Sequence, residues 1–202
     1  TQKTVYIRVL PKDIILPPNL RCAAVLGDDS ISLSWVRTTS ASADFGKYYI
    51  YRNLNGGAFS LIDSIPSRTT QTYLDRNVSL ADQSNVYGYF MVSVNNCGEP
   101  GLTSDTIFSI LPLVQKISST QFRVTWNELT TAIGKRYGKI YRLYEDRGTG
   151  YTLVQTGTQR SFVSSGCDFR IKYKVETTDS QTTCISSGFS IWNALKDTIR
   201  PS

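Results

Sequence analysis

Ser32-Leu33-Ser34-Trp35 is matched 91 residues later by Arg123-Val124-Thr125-Trp126. The same tripeptide then follows in each half, as Ile50-Tyr51-Arg52 and as Ile140-Tyr141-Arg142, 90 residues apart. Anchors that recur with nearly one period indicate one module used twice. The 202 residues therefore divide into two units of about 90 residues each, inside the ordinary range of domain size.

Hydrophobic and polar residues alternate along much of both halves. The pattern is clear over residues 30–35, 121–126 and 169–176. A period of two with one apolar face predicts a half-buried strand, and Gly-, Asn- and Asp-containing turns separate the runs. We predict seven strands in each half, the last of them over 103–111 and 186–194. The fold class that follows is all-β, with two tandem immunoglobulin-like β-sandwiches.

Several segments resemble fibronectin type III domains. Pro17-Pro18-Asn19-Leu20 resembles the family's entry to its first strand, and Trp35 and Trp126 lie where the family has its core Trp. Tyr48-Tyr49-Ile50-Tyr51-Arg52 is similar to the third strand, and 87–95 to the sixth. The resemblance covers nearly the whole chain and implies tandem seven-strand sandwiches of this type.

The resemblance also implies a tyrosine corner in the first module. Tyr87 occupies the position from which a Tyr hydroxyl binds backbone groups at the end of the sandwich. Ile171 occupies that position in the second module, so we expect no such bond there.

The domain boundaries expected from this resemblance are 17–112 and 113–202. Residues 1–16 are interpreted as an upstream strand remnant or linker, because 5–11 resembles the end of the first module at 107–112. Two readings stay open: the last strand of a preceding module, or an extra strand that pairs with the first module. The segment around Pro112 has no flexible Gly/Ser stretch, which predicts a stiff, extended rod with a modest interface.

A narrower resemblance rests on shorter motifs. Ile-Tyr-Arg, Asn96-Cys97-Gly98 and Asp105-Thr106 are similar to fibronectin-like repeats of large secreted or surface proteins in Bacteroidota, including adhesins and gliding-associated proteins. This resemblance implies a bacterial, extracellular or cell-surface protein.

The four cysteines raise the question of disulfides. In a fibronectin-type sandwich the start of the first strand and the turn after the sixth lie at one end, which implies a Cys22–Cys97 bond. Such a bond would require an oxidising compartment. Cys167 and Cys184 flank the predicted sixth strand of the second module, whose length separates them. We therefore expect these two thiols to stay unpaired.

The composition argues against an enzyme. The chain contains no histidine, which excludes Ser/His and Cys/His catalytic pairs. It has no Cys-x-x-Cys motif and no phosphate-binding glycine loop, so we expect no metal, no cofactor and no nucleic-acid partner. No apolar run approaches the length of a membrane span, and we expect a monomer that does not insert into a bilayer.

Charge is divided unevenly between the modules. Residues 17–112 carry a net charge of −2, whereas 113–202 carry +6. A basic candidate binding face is predicted on the third and sixth strands of the second module: Lys139, Tyr141, Arg170, Lys172 and Lys174. Its ligand would be an acidic glycan or an acidic protein surface. The alternative is a solvated sheet face whose Lys and Arg stems cover the pleat.

The first module carries an apolar candidate surface instead. If Tyr87, Tyr89 and Met91 face the core, the alternate residues of that strand face outward. The predicted contact set is Tyr49, Tyr51, Phe90, Val92 and Val94. An external partner, a neighbouring module or residues 1–11 could cover it.

These observations predict a non-catalytic pair of structural or adhesive modules from a larger secreted or cell-surface protein. The pair would act as a spacer or bind protein or glycan. Two alternatives stay open: accessory modules of a secreted glycan-degrading enzyme, and a cytokine-receptor-type ectodomain. No Trp-Ser-x-Trp-Ser motif supports the second alternative.

Overall fold

The protein is an assembly of short strands, as the period-two pattern predicts. The computed structural model describes residues 15–37, 44–129, 137–166, 170–179 and 184–194. Within these ranges there is no helix. The first eight strands are β1 Asn19–Val25, β2 Ile31–Val36, β3 Phe45–Leu54, β4 Ser60–Ile65, β5 Thr72–Asp75, β6 Tyr87–Asn95, β7 Pro100–Thr103 and β8 Ile107–Phe108. The last eight are β9 Pro112–Lys116, β10 Gln121–Trp126, β11 Tyr137–Asp146, β12 Tyr151–Gly157, β13 Ser161–Ser165, β14 Arg170–Asp179, β15 Ile185–Phe189 and β16 Asn193–Ala194.

The strands form two sandwiches with the same strand order. In the first module β1, β2 and β5 form one layer, and β4, β3, β6 and β7 form the other, with β8 beside β6. In the second module the layers are β9, β10 and β13, and β12, β11, β14 and β15, with β16 beside β14. This arrangement is the immunoglobulin-like sandwich of fibronectin type III topology, so the predicted fold class is confirmed. The boundaries 1–16, 17–112 and 113–202 stay a prediction.

Each sandwich has its own core built around the repeated Trp. Trp35 packs edge-on against Tyr48, with ring centroids 6.1 Å apart, and Trp126 packs against Tyr141 at 5.9 Å. All four side chains are buried. The two modules therefore keep the same aromatic pairing, and each tyrosine lies four residues before the position opposite the core Tyr of the sixth strand.

The repeated tripeptide does not occupy equivalent positions. Ile50 is fully buried and Tyr51 is half-buried, whereas Ile140 is 56% exposed and Tyr141 only 7%. Leu143, opposite Val175, takes the position that Ile50 has opposite Met91, so the tripeptide of β11 is displaced by three residues. Because strand side chains alternate between faces, an odd displacement exchanges inside and outside.

The last predicted strand of each module is interrupted by a serine. In the first module the Ser104 hydroxyl, directly after β7, accepts a hydrogen bond from Met91 N at 2.8 Å, and in the second the Ser190 hydroxyl, directly after β15, accepts from Tyr173 N at 2.8 Å. A side-chain oxygen thus replaces a strand carbonyl. This explains why 103–111 and 186–194 are not single continuous strands.

The predicted tyrosine corner is present in the first module. The Tyr87 hydroxyl accepts a hydrogen bond from Ser79 N at 2.9 Å. Ile171 lies buried in the second core.

Each core also contains a buried carboxylate bonded to a Tyr of the sixth strand. Asp75 on β5 accepts from the Tyr89 hydroxyl at 2.9 Å and from Arg52 at 2.8 Å. In the second module Glu145 on β11 accepts from Tyr173 at 3.1 Å and from Arg147. Ser164 also donates to Glu145, at 2.7 Å. Burial, reinforced by the adjacent carboxylate, raises the pKa of both Tyr89 and Tyr173.

Candidate functional site

The two sandwiches share a sheet. The free edge of β1 pairs in parallel with β15 of the second module, so that one sheet runs β12-β11-β14-β15-β1-β2-β5. Serines complete the junction: Ala23 N donates to the Ser186 hydroxyl at 3.1 Å, and the Ser187 hydroxyl donates to Val25 O at 3.3 Å. The prediction of an extended rod with a modest interface is wrong, because it assumed contact only near Pro112.

Gly188 allows this close approach. A Cβ atom at Gly188 would overlap the backbone carbonyl of Ile110. A glycine is therefore required where β15 meets the segment that joins the modules.

A disulfide closes the same junction. Cys22 on β1 bonds Cys184, the residue directly before β15, with a Cα–Cα distance of 6.2 Å. The predicted Cys22–Cys97 bond is wrong: Cys97 is an exposed free thiol in the turn after β6. The prediction treated each sandwich in isolation, whereas β1 faces the other module. The expectation that Cys184 stays an unpaired thiol is therefore also wrong, and Cys167 lies outside the described residues.

The structure divides the predicted basic face. Arg170, Lys172 and Lys174 alternate with buried residues along β14 and lie outward, as predicted. Tyr141 does not join them, because the displacement of β11 turns it into the core beside Trp126. Lys139 lies on β11, and its side chain falls outside the part of the chain that the structure describes.

Each of these three cations lies over an aromatic ring. Arg170 lies 5.0 Å from the Trp192 ring centroid, and Lys172 lies 5.9 Å from that of Phe189. Lys174 lies 4.5 Å from Tyr144 and 5.2 Å from Tyr151. Lys174 also pairs with Glu176 at 2.9 Å. Among the described residues neither Arg170 nor Lys172 forms an ion pair, although Asp146 lies opposite Lys172 in the pairing of β11 with β14.

A groove of about 370 Å³ opens beside this face, at the junction of the modules. Its walls combine both modules: Leu26, Asp28 and Gln83 from the first, and Tyr151, Lys172 and Trp192 from the second. Gln83 adopts a left-handed backbone conformation, at φ 56°, and its side-chain amide donates to Phe189 O at 2.9 Å. The groove therefore exists only where β15 lies against the first module.

The aromatic residues of this region escaped the sequence analysis. Trp192 is 39% exposed, and Tyr151 packs against Phe189 with centroids 6.1 Å apart. Partial burial, together with nearby Asp146, raises the pKa of Tyr151 to about 12. The segment Phe189-Ser190-Ile191-Trp192 could have suggested aromatic contacts for the basic strand, because its two aromatic residues follow that strand in the sequence. Only the strand pairing shows that they reach its cations.

The predicted apolar surface of the first module is also divided. Tyr49, Tyr51 and Phe90 are half-buried on the outer face, where the Tyr51 ring stacks on Phe90 at 4.7 Å. Val92 and Val94 lie opposite Tyr49 and Lys47 and so share this outer face, but they are buried, at 5% and 0% exposure.

Residues just before β1 lie against this end of β6. The Ser93 hydroxyl donates to Leu16 O at 3.0 Å, and Ile15 is buried with its carbonyl against Gly101. The predicted cover by residues 1–11 falls outside the described residues, as does the part of the predicted strand remnant or linker 1–16 that precedes Ile15.

Within the described ranges, no three His, Cys, Asp or Glu side chains lie close enough to hold a metal ion. The same ranges contain no helix of sufficient length and apolar character to cross a membrane.

Comparison with known proteins finds similarity only among solved structures. No family model and no curated protein matches the chain. The FN1–FN3 domains of chicken CNTN1 align at 13% identity with a TM-score of 0.42, covering 95% of this chain and 70% of that one. A segment of two fibronectin type III domains from chicken tenascin aligns at 16% identity and a TM-score of 0.37, covering 86% and 98%. The central fibronectin-III array of RIM-binding protein aligns at 10% identity and a TM-score of 0.38, covering 91% and 70%.

Proposed function

We propose that this chain is a non-catalytic, disulfide-locked pair of modules from a larger secreted or cell-surface protein. It acts as a spacer and contacts protein or glycan partners, chiefly through its second module. The bacterial context suggested by the short motifs stays a prediction.

The observation that carries this proposal is the Cys22–Cys184 bond across the shared sheet. Disulfides persist in oxidising compartments, which supports a location outside the cytoplasm. A bond between modules, added to backbone pairing, also removes the hinge that would otherwise let one sandwich swing on the other. Such a pair therefore holds any domain attached to it at a fixed distance and orientation.

A non-catalytic role is supported by the chemistry of the side chains. The sequence contains no histidine, and the buried carboxylates Asp75 and Glu145 are each bonded to Tyr and Arg inside a core. Groups enclosed in this way stabilise a sandwich and have no access to a substrate.

The disulfide provides the test. We expect peptide mapping of the unreduced protein to find Cys22 linked to Cys184. Distances between spin labels on the two modules should be narrowly distributed, and Cys22→Ser should broaden that distribution. Loss of the bond should also lower the free energy of unfolding by about 2–4 kcal/mol.

Cys97→Ser is the matched control and should change neither quantity, because Cys97 is free and exposed. The proposal fails if both cysteines are recovered as thiols from an oxidising medium. It also fails if Cys22→Ser leaves the distance distribution unchanged.

One observation favours a second candidate, the accessory module of a secreted glycan-degrading enzyme. The aromatic and basic side chains at the module junction have the chemistry of a glycan contact, which a pure spacer would not need. A carbohydrate-active domain in the same full-length product would favour this candidate.

A further inference from the structure

We propose that the groove between the modules is a composite binding site for an acidic sugar, such as one uronic acid residue of a polysaccharide. This proposal rests on the proposed function and specifies its ligand and its site.

The size of the groove suits a short ligand segment. Its volume of about 370 Å³ lies at the small end of the range for ligand pockets, and such pockets often occur at domain interfaces. The groove is partly open to solvent, so a polysaccharide chain can continue beyond the bound residue.

The lining matches an anionic ring with one apolar face. Trp192 and Tyr151 offer aromatic surface on which the C–H groups of a sugar ring can pack. Lys172 lines the groove, and Arg170 lies over the ring of Trp192, which also lines it. Since neither cation forms an ion pair among the described residues, either one is available to pair with a ligand carboxylate.

The opposite wall supplies polar groups from the first module. Asp28 lies exposed at the groove and can accept hydrogen bonds from sugar hydroxyls. Gln83 holds the wall against β15 through its bond to Phe189 O. Because the two walls belong to different modules, the site requires the junction that Cys22–Cys184 closes.

The probe is a galacturonic acid hexamer, titrated calorimetrically into the full chain. Lys172→Glu and Trp192→Ala should each weaken binding by about tenfold or more. Lys116→Glu makes the same charge change at an exposed residue of β9, in the opposite sheet, and should leave hexamer binding unchanged. Trp192→Phe should restore most of the affinity, which separates loss of the ring from misfolding.

Two further probes test the chemistry. The methyl ester of the same hexamer, which lacks the charge, should bind at least tenfold more weakly. Poly-glutamate should also bind weakly. Equal binding of poly-glutamate would overturn the proposal in favour of an acidic protein surface.

Asp28→Ala and Cys184→Ser test the composite character. Both should weaken hexamer binding, and unchanged affinity would overturn the claim that two modules form the site. Absence of hexamer binding by protein with the mapped Cys22–Cys184 bond would overturn this inference and leave the proposed spacer role intact.

Discussion

Each module provides a carboxylate for the hydroxyl of a buried tyrosine, but the carboxylate comes from a different strand in the two modules. In the first, Asp75 on β5 lies opposite Ile31, and Arg52 on β3 lies opposite Tyr89. In the second, Ser164 takes the position of Asp75, opposite Phe122, and Glu145 takes the position of Arg52, opposite Tyr173. The Tyr hydroxyl finds a carboxylate in both modules, but the acid has moved from one sheet to the other.

What is preserved is therefore the hydrogen bond of a buried tyrosine and not any single charged residue. A buried phenol needs a partner, and either neighbouring strand can supply it. The moved carboxylate still needs a cation, which Arg147 supplies from the turn after β11 in place of a residue within the strand. The same cluster is consequently more exposed in the second module.

The largest effect should come from removing these carboxylates. Asp75→Ala leaves Arg52 and Tyr89 without their acceptor and should destabilise the first module by about 3–5 kcal/mol. Glu145→Ala should lower the free energy of unfolding by less, about 1–3 kcal/mol, because the Arg147 side chain is 41% exposed and can be solvated when its carboxylate is removed. Urea unfolding followed by Trp fluorescence measures both.

Asp29→Ala, at an exposed turn, is the control and should have little effect. Equal costs for Asp75→Ala and Glu145→Ala would mean that the two clusters are energetically equivalent despite their different exposure.

The register of the tripeptide gives the next test. Ile50→Ala should destabilise the protein by about 2–5 kcal/mol, because it opens a cavity in a fully buried site. Ile140→Ala, the same change at the matching sequence position, should stay within about 0.5 kcal/mol. The same unfolding experiment compares them, and similar losses would show that β11 has the register of β3.

The smallest effect concerns alkaline pH. Burial, with nearby carboxylates, raises the pKa of Tyr73 in the first module and of Tyr151 in the second to about 12. A folded-state pKa above the unfolded value of about 10 means that stability is complete below pH 10. Stability is then lost as the pH rises toward 12.

Tyr73→Phe and Tyr151→Phe should each make this alkaline decline shallower, measured as the thermal midpoint between pH 9 and 12. A steeper decline in either variant would contradict the direction of the shift. Phenolate absorbance gives an independent readout of the same titration.

Much of the fold could be read from local sequence. Alternation along 30–35 and 121–126 predicts strands that the structure contains, and Tyr87 forms the expected corner bond. Such features depend on neighbours along the chain or within one sandwich. The basic residues of β14 were predictable for the same reason.

The candidate site was only partly predictable. The face of Tyr141 followed from the 91-residue Trp period and not from the 90-residue tripeptide period, and the two differ by one residue. Trp192 and Tyr151 could not be assigned to the cations of β14 without knowing which strands lie beside it.

The sequence by itself determined the strand pattern, the duplication, the two Trp-centred cores and the uneven charge of the modules. These follow from side-chain periodicity and composition, which are local properties. Only the tertiary structure decided that Cys22 bonds Cys184, that β1 pairs with β15, and that a groove forms between the modules. Those features depend on how the two cores lie against each other, which is decided by strand edges and surfaces that no repeat period encodes.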